Sequence, residues 1–153
     1  MSALELKIPP PLVALCTAIL MWLTPAPAGS LAVPFGLRLG IALALVCLGL
    51  GISVSGVVAF RRARTTLNPI KASSASALVS SGIYRYTRNP MYLGLLIALF
   101  AWAVYLSRPL ALLFLPVYVL YITRFQIVTE ERVLSSLFGT AYSAYRERVR
   151  RWL

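Results

Sequence analysis

The sequence predicts an all-α integral membrane protein: four transmembrane helices plus a C-terminal helix at the cytoplasmic interface. Three observations carry that prediction. Of 153 residues, 59% are hydrophobic and only 12% are charged, whereas soluble domains run nearer half apolar and a quarter charged. The apolar residues gather in four runs separated by Pro, Gly, Ser and Arg. The 15 Lys and Arg residues, against four acids and for a net charge of +11, fall almost entirely on alternate connections. Lipid offers no partners for backbone N–H and C=O groups, so helices that satisfy their own are expected. The length predicts one domain, residues 1–153.

The first run covers 12–23, and Ile8 and the prolines at 9–11 extend it to a span of about 9–24. It ends in the turn-rich TPAPAG at 24–29. Ala26, Pro27 and Ala28 are compatible with a signal-peptidase site. The basic start is only Lys7, however, and the run is read as a retained helix. The second span, about 36–60, is long enough to cross with some tilt. Its small residues Gly40, Gly49, Gly51, Ser53, Ser55 and Gly56 let another helix approach closely. Spans three and four, about 90–106 and 109–127, are joined by Ser107, Arg108 and Pro109 alone, which forces an antiparallel hairpin. Pro116 is expected to kink its second arm. Residues 128–153 form a polar helix with an apolar stripe of Val133, Leu134, Leu137, Phe138 and Ala141. Gly139 is expected to break it, with Thr140 capping the next turn.

The positive charges sort by side. Lys7 precedes the first span. Arg61, Arg62, Arg64, Lys71, Arg85 and Arg88 lie between spans two and three. Arg124, Arg132, Arg146, Arg148, Arg150 and Arg151 follow the fourth, and only Arg38 and Arg108 fall opposite. The positive-inside rule then places both termini and the regions 61–89 and 128–153 in the cytoplasm of a multi-pass inner or plasma membrane protein. The basic excess is accounted for without nucleic acid. There is no histidine, which removes the usual neutral-pH base and the commonest metal ligand, and no metal is predicted. Cys16 and Cys47 lie inside apolar runs, where packing is expected rather than a disulfide or metal site.

Two features at the cytoplasmic edge carry chemistry. In YRYTRNPMYLG, residues 84–94, Asn89 suits an N-cap and Pro90 the first helical position. A helix start leaves N–H groups unpaired and bears partial positive charge. Arg85 and Arg88 add to that field, and Tyr84, Tyr86 and Tyr92 add flat amphipathic surface. An interfacial aromatic belt with snorkelling arginines explains the same residues, and the residues alone leave both readings open. The second feature is Glu130–Glu131; the remaining acids are Glu5 and Glu147. Neighbours on a helix point about 100° apart. One glutamate is free to meet a cationic group while the other pairs with Arg88, Arg124 or Arg132, unless both form weak surface salt bridges. Together the features describe a cytoplasmic pocket with walls of both signs, suited to a zwitterionic, partly aromatic ligand.

TTLNP at 65–69, LVSSGIYRYTRNPMYLG at 78–94, Glu130–Glu131, then Phe138, Gly139, Tyr142, Tyr145 and Val149 form a set. It closely resembles the isoprenylcysteine carboxyl methyltransferase family, which is related to phospholipid N-methyltransferases. The resemblance covers roughly residues 60–150. It implies an integral-membrane enzyme that uses S-adenosylmethionine, releases S-adenosylhomocysteine and methylates a lipophilic or lipid-linked acceptor among membrane lipids. It further implies cofactor contacts at Leu78, Val79, Tyr84, Asn89, Pro90, Met91, Tyr92 and Glu130. Ser76 and Ala77 replace a His-containing stretch of eukaryotic members. Gln126 replaces an arginine that faces the substrate carboxylate, with Arg124 nearby. Arg88, Arg124 and Glu131 are the candidate catalytic residues. Methyl transfer needs chiefly alignment: a carboxylate or thiolate acceptor requires no base, whereas an amine requires one, Glu131 or a tyrosine. Glu130 can hold the cofactor's ammonium. The small-residue face of span two suggests sideways entry of the acceptor from the bilayer.

A phospholipid N-methyltransferase or small-thiol S-methyltransferase of the same fold is the nearest alternative. A transporter would want an acid within a span, and none of the four contains one. A non-catalytic scaffold explains the basic loops but not the motif set.

Overall fold

Prolines open every apolar helix. Proline has no N–H to leave unpaired and its φ is preset for the first helical turn. A computed structural model describes residues 7–26, 33–63 and 77–153. In it, helix α1 (Pro10–Leu23) follows Pro9, α2 (Phe35–Arg62) follows Pro34, and α3 (Pro90–Leu106) starts on Pro90 itself. Pro109 opens a tight 3-10 turn, Pro109–Leu113, that runs into α4 (Phe114–Ile122). A π turn at Thr123–Ile127 continues the chain into α5 (Val128–Arg148). A short 3-10 turn, Gly82–Arg85, precedes α3. The described residues are helical with no strand.

Two helical stretches are long and apolar enough to cross a membrane: Phe35–Arg62 and Pro109–Arg148. Pro10–Leu23 and Pro90–Leu106 are apolar but shorter. Only 17% of the most apolar window of α2 is buried, so α2 is not the shielded core helix of a soluble protein. Leu37, Leu43, Leu48, Leu50 and Val54 all face outward on it.

The helices alternate in direction, and side chains tie their ends. At one end Arg108 donates to the carbonyls of Trp22 and Thr24, and Arg38 to that of Tyr105 at 3.5 Å. These are terminal carbonyls of α1 and α3, which carry partial negative charge. The two arginines set apart by sequence thus serve helix C-termini. At the opposite end Gln126 Nε2 donates to the Ile8 carbonyl at 2.8 Å.

Helix α3 is central. On one side it meets α1 and α4 in a core of Met21, Leu99, Ala103, Tyr118, Ile122 and Ile127, and the Trp102 indole donates to the Ala18 carbonyl at 3.0 Å. On the other side lies α2. A Cβ on Gly49 would stand 2.7 Å from the Gly94 carbonyl oxygen, and one on Gly94 would run into Gly49 and Ser53. Gly56 lies against Pro90. The face Gly49–Ser53–Gly56 is therefore filled by α3 and offers no entrance for an acceptor. Gly40 and Gly51 meet nothing within 4 Å.

One expectation changes and another is met in part. Pro116 sits in the first turn of α4, where no helical N–H partner is lost, so the helix is irregular before it and at the π turn. Gly139 does break α5, at φ 50°. Of the apolar stripe on either side of it, Leu134 and Phe138 pack inward with Tyr142 and Tyr145, while Leu137 and Ala141 are exposed. Residues 65–69, Arg64, Lys71, Ser76, Glu5 and the turn at 27–29 lie outside the described residues.

Candidate active site

The start of α3 meets the junction of π turn and α5 at the Gln126 end of the bundle. Asn89 occupies the N-cap position of α3, as expected, but makes no capping hydrogen bond. Its Nδ2 instead donates to the Arg151 carbonyl at 2.8 Å. No side chain therefore caps the first turn of α3, and no cap bond engages the amides of Met91 and Tyr92. Pro90 is buried, and Met91 accepts a long 3.5 Å bond from Ser53 through its carbonyl.

The two glutamates go separate ways. Tyr92 donates its hydroxyl to Glu130 Oε1 in a short hydrogen bond. Glu130 is half-buried and its electrostatic neighbours among the described residues are Tyr92, Glu131 and Tyr84, with no guanidinium among them. Burial pushes its carboxyl up to about 7; the Tyr92 bond pulls it down and the Glu131 charge pushes it up. Glu131 is clasped. Arg151 makes a two-pronged bond to it, Nε to Oε1 at 2.9 Å and Nη2 to Oε2 at 2.8 Å. Arg88 Nη1 stands 3.0 Å from Oε1. Burial raises the Glu131 carboxyl, but the Arg151 bonds and the charges of Arg88, Arg151 and Arg146 outweigh it and hold it below the usual carboxylate range.

The chain's last residues build much of this site. The Arg88 amide donates to the Arg150 carbonyl at 3.1 Å, Thr87 Oγ1 to the Arg151 carbonyl at 3.4 Å, and the Trp152 indole to Thr123 Oγ1 at 3.2 Å. Sequence reasoning counted Arg146, Arg148, Arg150 and Arg151 only among the cytoplasmic positive charges and missed the parts played by Arg151, Thr87 and Trp152. A tryptophan after two arginines was the one signal in the tail.

The remaining predicted residues form a second layer. Val79 and Tyr84 are buried with Tyr142, Tyr145 and Val149, and Leu78, Phe60 and Phe138 pack around them. Phe60 meets the Tyr84 ring edge-on at 5.3 Å, and the Tyr145 hydroxyl donates to the Tyr84 carbonyl at 2.8 Å. The Tyr84 hydroxyl is pushed well above its ordinary value, first by burial, then by Tyr145 and by the Glu130 charge. Arg124 is exposed on the π turn, apart from the bonded cluster, and Tyr86 is exposed. Arg85 edges a shallow depression of about 420 Å³ with Ser80, Tyr145, Arg148 and Val149. The described residues contain no group of three His, Cys, Asp or Glu side chains able to hold a metal.

These groups fit a zwitterionic donor such as S-adenosylmethionine. Glu130 is a carboxylate not already claimed by an arginine, which suits an ammonium. Amides at a helix start suit a carboxylate. Tyr92, partly exposed, supplies aromatic surface.

Fold and site define an all-helical, apolar chain with an ionic cluster at one end of the bundle. The chain belongs to the phospholipid methyltransferase family, whose model matches residues 37–141. It is 31% identical over 108 residues to the protein-S-isoprenylcysteine O-methyltransferase of Schizosaccharomyces pombe, covering 71% of this chain and 46% of that one. It is 30% identical over 107 residues to protein-S-isoprenylcysteine O-methyltransferase B of Arabidopsis thaliana, covering 70% and 54%. It is 40% identical over 67 residues to methanethiol S-methyltransferase 1 of Bradyrhizobium diazoefficiens, covering 44% and 22%. The chain thus spans about half the length, or less, of these relatives. No solved structure matches it.

Proposed function

We propose that this chain is a single-domain S-adenosylmethionine-dependent methyltransferase of the membrane, acting on a lipophilic acceptor. In this reading it crosses the bilayer four times, at about 9–24, 36–60, 90–106 and 109–127, with termini and site in the cytoplasm. α1 has 14 residues, about 21 Å at 1.5 Å each, and α3 has 17, about 26 Å. The hydrocarbon core is about 30 Å. The shorter two therefore span with help from flanking residues or a thinned bilayer.

The observation that carries the reading is Glu130: a half-buried carboxylate, bonded by Tyr92, beside the uncapped start of α3. Bound S-adenosylmethionine would supply a methyl group on a sulfonium, open to displacement by an acceptor lone pair with the carbon–sulfur pair left on sulfur. Glu130 would bind the ammonium and Tyr92 would orient Glu130. The amides of Met91 and Tyr92 would take the carboxylate, and Leu78, Val79 and Tyr84, with Asn89 and Pro90, would wall the cofactor side. Arg88 and Glu131 would brace the loop before α3 against the tail. With both oxygens bonded and its carboxyl held down, Glu131 is a weak base, which favours an acceptor that needs none. Arg124, exposed on the π turn and apart from the bonded cluster, would draw an anionic acceptor toward the site from the surface. The relatives named for isoprenylcysteine and for methanethiol have such acceptors in their names; the family's own name keeps a phospholipid amine as the alternative.

Isothermal calorimetry on protein in detergent tests this. Wild type should bind S-adenosylmethionine saturably. Glu130→Gln should weaken binding about 10- to 100-fold, the loss of a hydrogen-bonded charge pair, with thermal unfolding unchanged or raised. Equal affinity in the variant removes Glu130 from the site.

A further inference from the structure

Tyr118, Tyr121 and Thr129 carry buried hydroxyls that are unpaired among the described residues and that the proposed mechanism leaves unused; of these, Tyr118 belongs to the core that packs against Tyr92. It lies in α4, 1% exposed, among Leu99, Ile122 and the partly buried Tyr92. Its hydroxyl has no hydrogen-bond partner among the described residues. Buried hydroxyls are nearly always paired, and one that is not calls for a reason.

The π turn supplies its direction. Tyr118 and Glu130 are twelve residues apart, which on an uninterrupted helix places them about 120° apart. A π turn closes on one residue more than an α turn. Thr123–Ile127 therefore absorbs about one residue and brings the two to within about 20° of one face. That face looks at α3: Tyr92 bonds Glu130 and lies within electrostatic reach of the Tyr118 hydroxyl. Tyr118 is the deeper of the two along the bundle, on the bilayer side of the Tyr92–Glu130 bond.

We infer that Tyr118 binds the methyl acceptor, its hydroxyl donating a hydrogen bond to the acceptor's polar head. The head is a carboxylate or thiolate on an apolar chain. Either accepts from a hydroxyl through a lone pair and, being anionic, loses no proton on methylation. The surrounding Leu99 and Ile122 suit the chain behind the head. This rests on the methyltransferase reading above.

The test compares wild type with Tyr118→Phe in mixed micelles. S-farnesylcysteine, decanethiol and phosphatidylethanolamine serve as acceptors, with unfolding and S-adenosylmethionine binding measured alongside. The unpaired hydroxyl predicts an unchanged or raised Tm and unchanged cofactor affinity in the variant, with KM for S-farnesylcysteine or decanethiol raised about tenfold. A fall in Tm makes the hydroxyl structural and overturns the inference. An unchanged KM overturns it while the methyltransferase reading stands. Methylation of phosphatidylethanolamine alone overturns the acceptor class. Wild type that binds no cofactor and methylates none of the three overturns the parent reading and this inference with it.

Discussion

Glu130 and Glu131 are neighbours in sequence, yet a helix turns them about 100° apart into different electrostatic surroundings. Glu131 meets two guanidinium groups and Glu130 meets a tyrosine. Their linkage to stability has opposite signs. Glu130, raised to about 7, resists ionisation when folded, so its contribution is present in full below its ordinary value and is lost as pH rises through about 7. Glu131, held low, stabilises above its ordinary value, and that contribution is lost as pH falls through its folded value. A cationic ligand group needs Glu130 ionised. With a carboxyl near 7, about one molecule in eleven is ionised at pH 6 and about ten in eleven at pH 8. Affinity for S-adenosylmethionine is therefore expected to rise about tenfold across that interval in wild type and to stay flat in Glu130→Gln. A flat wild-type profile by calorimetry would detach the ammonium from Glu130.

At the scale of elements, the α2–α3 contact follows from spacing: Gly49, Ser53 and Gly56 recur every three or four residues, one helix face. Gly94→Ala puts a methyl into Gly49 and Ser53 and is expected to cost on the order of 1–3 kcal/mol by overpacking. Gly51→Ala meets open space and should be neutral or stabilise by up to about 1 kcal/mol, as alanine favours helix over glycine. Equal unfolding temperatures for the two variants would refute this packing. The sequence revealed which helix carries small residues, but not which of them α3 would cover, since that depends on the partner's position. The start of α3 at Pro90 and the break at Gly139 were legible because proline and glycine act locally. The side-chain bond of Asn89 was not: a residue suited to cap was drawn instead to a carbonyl 62 residues away. The π turn left no local mark either. It is known from which residues its helix must present to α3, a property of the packed bundle.

Across the whole molecule, hydrogen bonds and charge agree on one arrangement. The Arg38 and Arg108 bonds join α2 and α3, and α1 and the α3–α4 link, at one end. The Gln126–Ile8 bond and the Arg88–Glu131–Arg151 cluster lie at the other. Among the described basic residues, only Arg38 and Arg108 sit at the first end, and helix-terminal carbonyls engage both. They answer to those carbonyls rather than to the membrane's charge asymmetry, which is why they can depart from the positive-inside bias. In the proposed four-span reading the remaining cations set the side of the membrane, and cysteine labelling tests it. In a Cys16→Ser, Cys47→Ser background, Ala26→Cys places an exposed thiol at the Arg108 end and Ser143→Cys one on α5. A membrane-impermeant maleimide should label Ala26→Cys on intact spheroplasts and Ser143→Cys only after lysis. Reversed labelling would put the ionic cluster outside, and labelling of both on intact spheroplasts would remove the four-span arrangement. Either result would separate the Glu130 site from the cytoplasm, where the positive-inside bias places it.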